Sequence, residues 1–138
     1  MKILLVDDSK FLRQAGQRAL VRAGYEVSTA GDGEEALKLA QGQIPNLIVL
    51  DMMLPKLSGL EVLRALKLDA ATKDVPVIVL TALSERNKDK LLLEGAVSYV
   101  EKSDKLLEKD GAVLIEAVRQ VIGKAAAPKA RAVFPPKP

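Results

Sequence analysis

Histidine, cysteine and tryptophan are all absent from these 138 residues. Without an imidazole or a thiol, the chain has no thiolate nucleophile, serine–histidine pair, thiolate zinc site or histidine-based phosphoryl donor of its own. Aromatics amount to two tyrosines and two phenylalanines. No apolar run approaches the roughly 20 residues that a membrane span needs, and the first residues show no secretory-signal pattern. A cytoplasmic location is therefore expected, and the lack of cysteine fits it. Whatever chemistry occurs here is carried by carboxylate, hydroxyl, lysine and backbone.

What is present is ordinary in amount and uneven in placement. Hydrophobic residues make up 49% and charged residues 28%, as in globular domains generally. This length suits one domain that buries about two-thirds of the surface its unfolded chain exposes. The net charge of +3 belongs to the end of the chain. Residues 124–138 hold Lys124, Lys129, Arg131 and Lys137 and no acid, so residues 1–123 carry 17 basic against 18 acidic groups. A near-neutral body argues against a nucleic-acid footprint. Four of the seven prolines also fall in 124–138, which reads as a disordered or polyproline-like tail or linker after a domain of residues 1–123.

Apolar bursts alternate with amphipathic stretches five times. Ile3–Val6 precedes Phe11, Leu12, Ala15, Ala19, Leu20 and Ala23 at helical spacing, stopped by Gly24. Tyr25–Thr29 reads as a more exposed strand. Asp32 and Glu35 form a capping box for a helix reaching about Gly42. Leu47–Leu50 is the third strand. A second capping box, Ser58 and Glu61, opens a helix carrying Leu60, Leu63 and Leu66. Val75–Leu80, a helix over about Ser84–Glu94 ended by Gly95, and Val97–Val100 follow. Leu114, Ala117, Val118, Val121 and Ile122 line one face of the last helix, which closes at Gly123. Such alternation predicts right-handed crossovers and a parallel sheet covered on both faces. The expected fold is flavodoxin-like: a doubly wound α/β sheet of five strands in the order 2-1-3-4-5 with five helices, binding ligands beyond the carboxyl ends of strands 1 and 3.

Acids occupy those ends. Asp7 and Asp8 follow the first strand and Asp51 the third, where packing gives no reason for a carboxylate. Three carboxylates gathered together repel one another until a cation joins them, and a hard divalent ion such as Mg2+ suits them. Thr81 after strand 4 and Lys102 after strand 5 lie on the same rim, placed to hydrogen-bond a transferred anionic group. The set describes an aspartyl-phosphate site with a carboxylate nucleophile. Taken singly, each residue has a plainer reading: Asp8 or Ser9 as the cap of helix 1, Thr81 as another cap, Lys102 in a surface ion pair, Tyr99 as packing.

Together they resemble a family, the receiver domains of bacterial two-component response regulators, over residues 2 to about 123. Asp7-Asp8 is similar to the family's acidic metal pair and Asp51-Met-Met-Leu-Pro55 to its phosphoacceptor segment. Leu57–Glu61 resembles the loop that follows, Thr81-Ala82 the switch hydroxyl, and Val97–Lys102 the strand with the switch aromatic, Tyr99, and the lysine. The resemblance implies Mg2+ held by Asp8, Asp51 and the Met53 backbone carbonyl, with Asp7 acting through water. It implies a phosphoryl group delivered to Asp51 by a sensor histidine kinase or histidine phosphotransfer protein, with Thr81 and Lys102 contacting it. Thr81 and Tyr99 would then rearrange the face of helix 4, strand 5 and helix 5 for a downstream protein target. The expected protein is a stand-alone signalling switch rather than an enzyme, monomeric or dimerising on phosphorylation, with neither membrane nor nucleic acid among its partners. Two alternatives remain: a truncated DNA-binding response regulator, and a Mg-dependent aspartyl-phosphate phosphatase. The phosphatase is opposed by Met53, which stands where such enzymes carry a second acid. Three departures from the family pattern stand out. Ser103 replaces a frequent proline, Ser103–Asp110 is longer than usual, and Met53 and Leu83 are apolar where polar groups are common. The last pair would shield a phosphoryl group from water.

Overall fold

Alternate residues of a buried strand face opposite sides of its sheet, and the apolar strands of this chain supply two cores in that way. The computed structural model describes residues 1–82 and 88–122. Its strands are β1 (Lys2–Val6), β2 (Glu26–Ala30), β3 (Leu47–Asp51), β4 (Val77–Thr81) and β5 (Ser98–Glu101). They pair in parallel in the order β2-β1-β3-β4-β5, as expected. The helices are α1 (Lys10–Arg22), α2 (Gly33–Gly42), α3 (Gly59–Leu68), α4 (Lys88–Leu93) and α5 (Glu108–Ile122). Leu4, Val6, Ile48, Leu50, Val77 and Val79 pack against Ala36, Val62, Leu63, Leu66 and Leu91. On the other face Ile3, Leu5, Leu47, Val49, Ile78 and Leu80 meet Leu12, Leu20, Leu114 and Val118. β3 and β4 are buried at every position, whereas edge strand β2 alternates Glu26 and Ser28 outward.

Local chemistry sets the helix ends. The Ser9 hydroxyl, not Asp8, caps α1 by accepting the Leu12 N–H. Gly24, with φ +105°, ends that helix, and the Tyr25 and Gly24 N–H groups return to Leu20 and Val21 carbonyls, a Schellman closure. The Ser58–Glu61 box closes at both bonds. The Asp32–Glu35 box is half formed: Asp32 accepts the Glu35 N–H, but the Glu35 carboxylate accepts the N–H of Gly31 instead. Strand boundaries shift by one or two residues, because Tyr25 is buried ahead of β2 and Pro76 precedes β4 while its carbonyl accepts the Ile48 N–H. Leu83, the expected start of α4 at Ser84, Gly123 and the tail 124–138 lie outside the described residues.

The long segment after β5 folds compactly. The Ser103 hydroxyl accepts the Lys105 N–H and opens a 3-10 turn over Asp104–Leu107, which buries Leu106. Then Lys109, Asp110 and Gly111 take left-handed backbone at φ 54°, 59° and 81° before α5 continues right-handed. Such a run is rare because Cβ crowds the following carbonyl in L-residues. At Gly111 the requirement is double: its conformation favours glycine, and a Cβ there would lie 2.8 Å from the Ala19 Cβ of α1.

Gly111→Ala is therefore expected to destabilise the fold by about 2–5 kcal/mol, from left-handed strain plus overpacking. Urea unfolding checks this, and the loss should be smaller in an Ala19→Gly background, where the contact is relieved and the backbone strain is not. An unchanged midpoint would contradict the double constraint.

Candidate functional site

Sheet register decides which side chains meet. Val6 pairs with Leu50, so Asp7 and Asp51 emerge side by side from the two central strands. Asp51 pairs with Leu80 and Thr81 with Glu101, which sets Thr81 and Lys102 on the same edge. The Lys102 N–H donates to the Thr81 carbonyl at 2.8 Å, tying the last two strands together at the rim. The expected acids do come together: one oxygen each of Asp7, Asp8 and Asp51 lies within 4.8 Å of the others. Asp7 and Asp51 are buried and Asp8 is exposed.

Lys102 bridges the two buried acids. Its Nζ is 2.8 Å from Asp51 Oδ2 and 2.9 Å from Asp7 Oδ2. The bond to Asp51 is a well-directed hydrogen bond. The approach to Asp7 is an ion pair, and among the described residues Asp7 Oδ2 has no other polar partner. The backbone supplies the rest: Ser9 N–H donates to Asp7 Oδ1 at 2.8 Å and Met53 N–H to Asp51 Oδ1 at 3.1 Å. The Lys102–Ser103 peptide is trans, and the lysine reaches both acids from it.

These contacts pull the titrations apart. Burial pushes the Asp51 carboxyl above its ordinary range. The Lys102 and Met53 bonds oppose this, Asp7 adds to it, and the balance is upward. For Lys102, burial pulls downward, but the hydrogen bond to Asp51 and the ion pair with Asp7 outweigh it and the ammonium is held above its ordinary value. The signs follow from linkage. Lys102 contributes stability that is present below about 10.4 and fades as pH rises through its raised value. Ionising Asp51 works against the fold, so stability falls as pH rises through its raised value.

A glycine brings α3 to the site. A Cβ on Gly59 would collide with the Asp51 carbonyl oxygen and lie 2.5 Å from Met52 Cα. Its absence lets the Gly59 N–H donate to the Met52 carbonyl at 3.0 Å, closing the loop over residues 52–58. Thr81 is buried at the end of β4. Tyr99 is half-buried against the core shared with α2, α3 and α4. Met53 exposes 74% of its surface.

Comparison with known proteins decides the family. A family model described as the response regulator receiver domain matches residues 3–122. The chain belongs to that family. As a receiver domain it is the phosphorylation-linked module of a two-component response regulator. It is 48% identical over 102 residues to the alkaline phosphatase synthesis transcriptional regulatory protein PhoP of Bacillus subtilis, covering 73% of this chain and 42% of PhoP. It is 40% identical over 121 residues to AfsQ1 of Streptomyces coelicolor, covering 87% of this chain and 50% of that protein. The chain thus spans half or less of the length of these curated relatives. Among solved structures, the chemotaxis response regulator CheY4 of Vibrio cholerae superposes with TM-score 0.79 at 33% identity, covering 87% of this chain and 97% of that one. Response regulator TrrA of Thermotoga maritima, solved with Mg2+ and BeF, gives 0.74 at 36%, with the same coverage.

Receiver domains bind Mg2+ in their acidic pocket, and the donors here suit it. Three carboxylates of hard oxygen face the Lys102 ammonium, and among the described residues buried Asp7 Oδ2 has that ammonium and no other polar partner. An added cation offsets that imbalance. Residue type alone does not mark the Ser9 and Met53 N–H donors. Nor does it mark Arg13, whose Nη1 donates to the Asp7 carbonyl at 2.8 Å. A side chain that binds only backbone has no partner residue to betray it.

Removing the bridge should strand two buried carboxylates. Lys102→Met is expected to lower stability at neutral pH by about 2–3 kcal/mol, less than a fully buried pair would lose because Lys102 is 27% exposed. The deficit should shrink as pH falls and Asp51 takes up a proton, and millimolar Mg2+ should recover part of it. Thermal melts across pH check this, and a pH-independent deficit would contradict it.

Proposed function

We propose that this receiver domain, working by itself, is a signalling switch that takes a phosphoryl group on Asp51. The observation that carries the reading is the Asp51 carboxylate, buried at the end of β3, bonded to Lys102 and within 4.8 Å of the Asp7 and Asp8 oxygens. An Asp51 oxygen attacks the phosphorus of a phosphohistidine on a sensor kinase or phosphotransfer protein. The P–N bond breaks, its electron pair stays on the ring nitrogen, and the imidazole leaves neutral because its other nitrogen already carries a proton. Met53 N–H and Lys102 each hold one Asp51 oxygen, and the attacking oxygen uses a lone pair that these bonds leave open. Lys102 and the Thr81 hydroxyl then hydrogen-bond the added oxygens. Asp8, Asp51 and the Met53 carbonyl would hold Mg2+, with Asp7 acting through water, and the ion would supply positive charge that offsets the phosphoryl oxygens.

The response runs to the face of α4, β5 and α5. The Lys102 N–H to Thr81 carbonyl bond couples the phosphate rim to β5, and Tyr99 lies on that strand. A movement of Thr81 and Lys102 towards phosphate would shift Tyr99 and change the surface met by a downstream protein. The setting is the cytoplasm, and no described helix is long and apolar enough to cross a membrane.

A second reading has its own support. PhoP and AfsQ1 are named transcriptional regulators and are at least twice as long as the matched region, as a receiver joined to a DNA-binding output part would be. An immunoblot of the source cells separates the two: a product near 14.8 kDa supports the single module, and one about twice that size supports the regulator.

Incubation with Mg2+ and a small phosphodonor should add one phosphoryl group to the wild type and none to Asp51→Asn by intact mass. The same gain in the mutant would overturn the acceptor assignment, and continuous turnover of phosphomonoesters would favour a phosphatase. Met53 generates a further expectation. Its thioether gives an attacking water no strong hydrogen bond, so Met53→Asn should shorten the phosphoryl lifetime several-fold. An unchanged half-life would remove Met53 from the account.

A further inference from the structure

Asp7 is held at each polar atom, with Lys102 against Oδ2. Its N–H donates to the Ala30 carbonyl at 3.1 Å, Ser9 N–H meets Oδ1, and Arg13 Nη1 donates to its carbonyl oxygen at 2.8 Å. The Arg13 bond has a particular consequence. The Asp7 carbonyl belongs to the same rigid peptide plane as the Asp8 N and Cα. Arg13 therefore fixes the plane from which the exposed Asp8 side chain departs. The reach is natural, since side chains of an α-helix lean back towards its N-terminus, and Arg13 lies in the second turn of α1.

The guanidinium lies in a slot that a different loop keeps open. A Cβ on Gly31, just after β2, would lie 2.9 Å from Arg13 Nη1 and 3.4 Å from Cζ. Gly31 is in turn tethered by its N–H to Glu35 Oε1 at 2.8 Å, from the first turn of α2. A methyl group at Gly31 meets only the far end of a flexible side chain. It would move the guanidinium at little expense to the fold.

We propose that Arg13, seated against Gly31, is a positioning residue that aims Asp7 and Asp8 at the cation shared with Asp51. The inference rests on the Mg2+-binding reading of the acidic cluster. It runs against simple electrostatics: a guanidinium bonded to the Asp7 carbonyl adds positive charge near the acidic cluster, so removing it for charge reasons alone would tighten Mg2+ binding.

Isothermal calorimetry with Mg2+ alone, on the full chain, separates these effects. Arg13→Gln and Gly31→Ala should each raise the Mg2+ Kd about tenfold, the scale of losing a group that orients metal ligands. Gly31→Ala should do so with its melting temperature nearly unchanged. The double variant should bind no more weakly than Arg13→Gln, because Gly31→Ala acts only through the guanidinium. Tighter or unchanged binding in Arg13→Gln would overturn the proposal, as would a further loss when Gly31→Ala is added to it. Should Arg13→Gln fail to fold, Gly31→Ala alone decides by its Kd. Failure of the wild type to bind Mg2+ would instead strike the underlying metal reading, and this inference with it.

Discussion

The ion pair from Lys102 to two buried carboxylates is the constraint around which the rest of the site is arranged. Two acids and one ammonium at the edge of a low-dielectric sheet leave a negative charge uncompensated, and burial magnifies that imbalance. The fold answers with backbone donors on Asp7 and Asp51 and with an open rim at Asp8. The strands that carry Asp51 and Thr81 are buried at every position. The same imbalance makes the site receptive to a divalent cation and then to an anion.

Placement of the charges depends on topology more than on local sequence. A parallel sheet that reverses its winding between β1 and β3 sets the ends of those strands side by side without helices between them. Small residues then let helices close in. Gly59 brings the start of α3 against the Asp51 carbonyl, and Gly31 admits the Arg13 guanidinium beside Asp7. Gly111 lets the end of the long β5–α5 connection rest on α1. The active rim is thus framed by close approaches that larger side chains would forbid.

Most of the fold was legible because period and punctuation agreed. Strand runs such as Leu47–Leu50 were continuous and apolar, and Ser58 with Glu61 signalled a helix start that forms as written. The acids and the lysine were legible because each breaks an apolar pattern at a strand end. What was hidden depends on long-range geometry. Glu35 turned its carboxylate to Gly31 rather than to Asp32, a choice made by the path of the loop after β2. The left-handed run is signalled only at Asp110-Gly111, a turn-forming pair, and has no signature at Lys109. Arg13 looked like one more polar residue on an amphipathic helix.

The central claim, that Lys102 is held between two buried carboxylates, can be read from its own titration. Selective 13C labelling of the lysine Cε positions, followed by NMR against pH in Mg2+-free buffer, measures it directly. Lys102 should titrate above the ordinary lysine value because of its hydrogen bond to Asp51 and its ion pair with Asp7. Lys67, held below that value chiefly by burial, serves as an internal reference on the other side. Titration of Lys102 at or below the ordinary lysine value, or beside Lys67, would contradict the account.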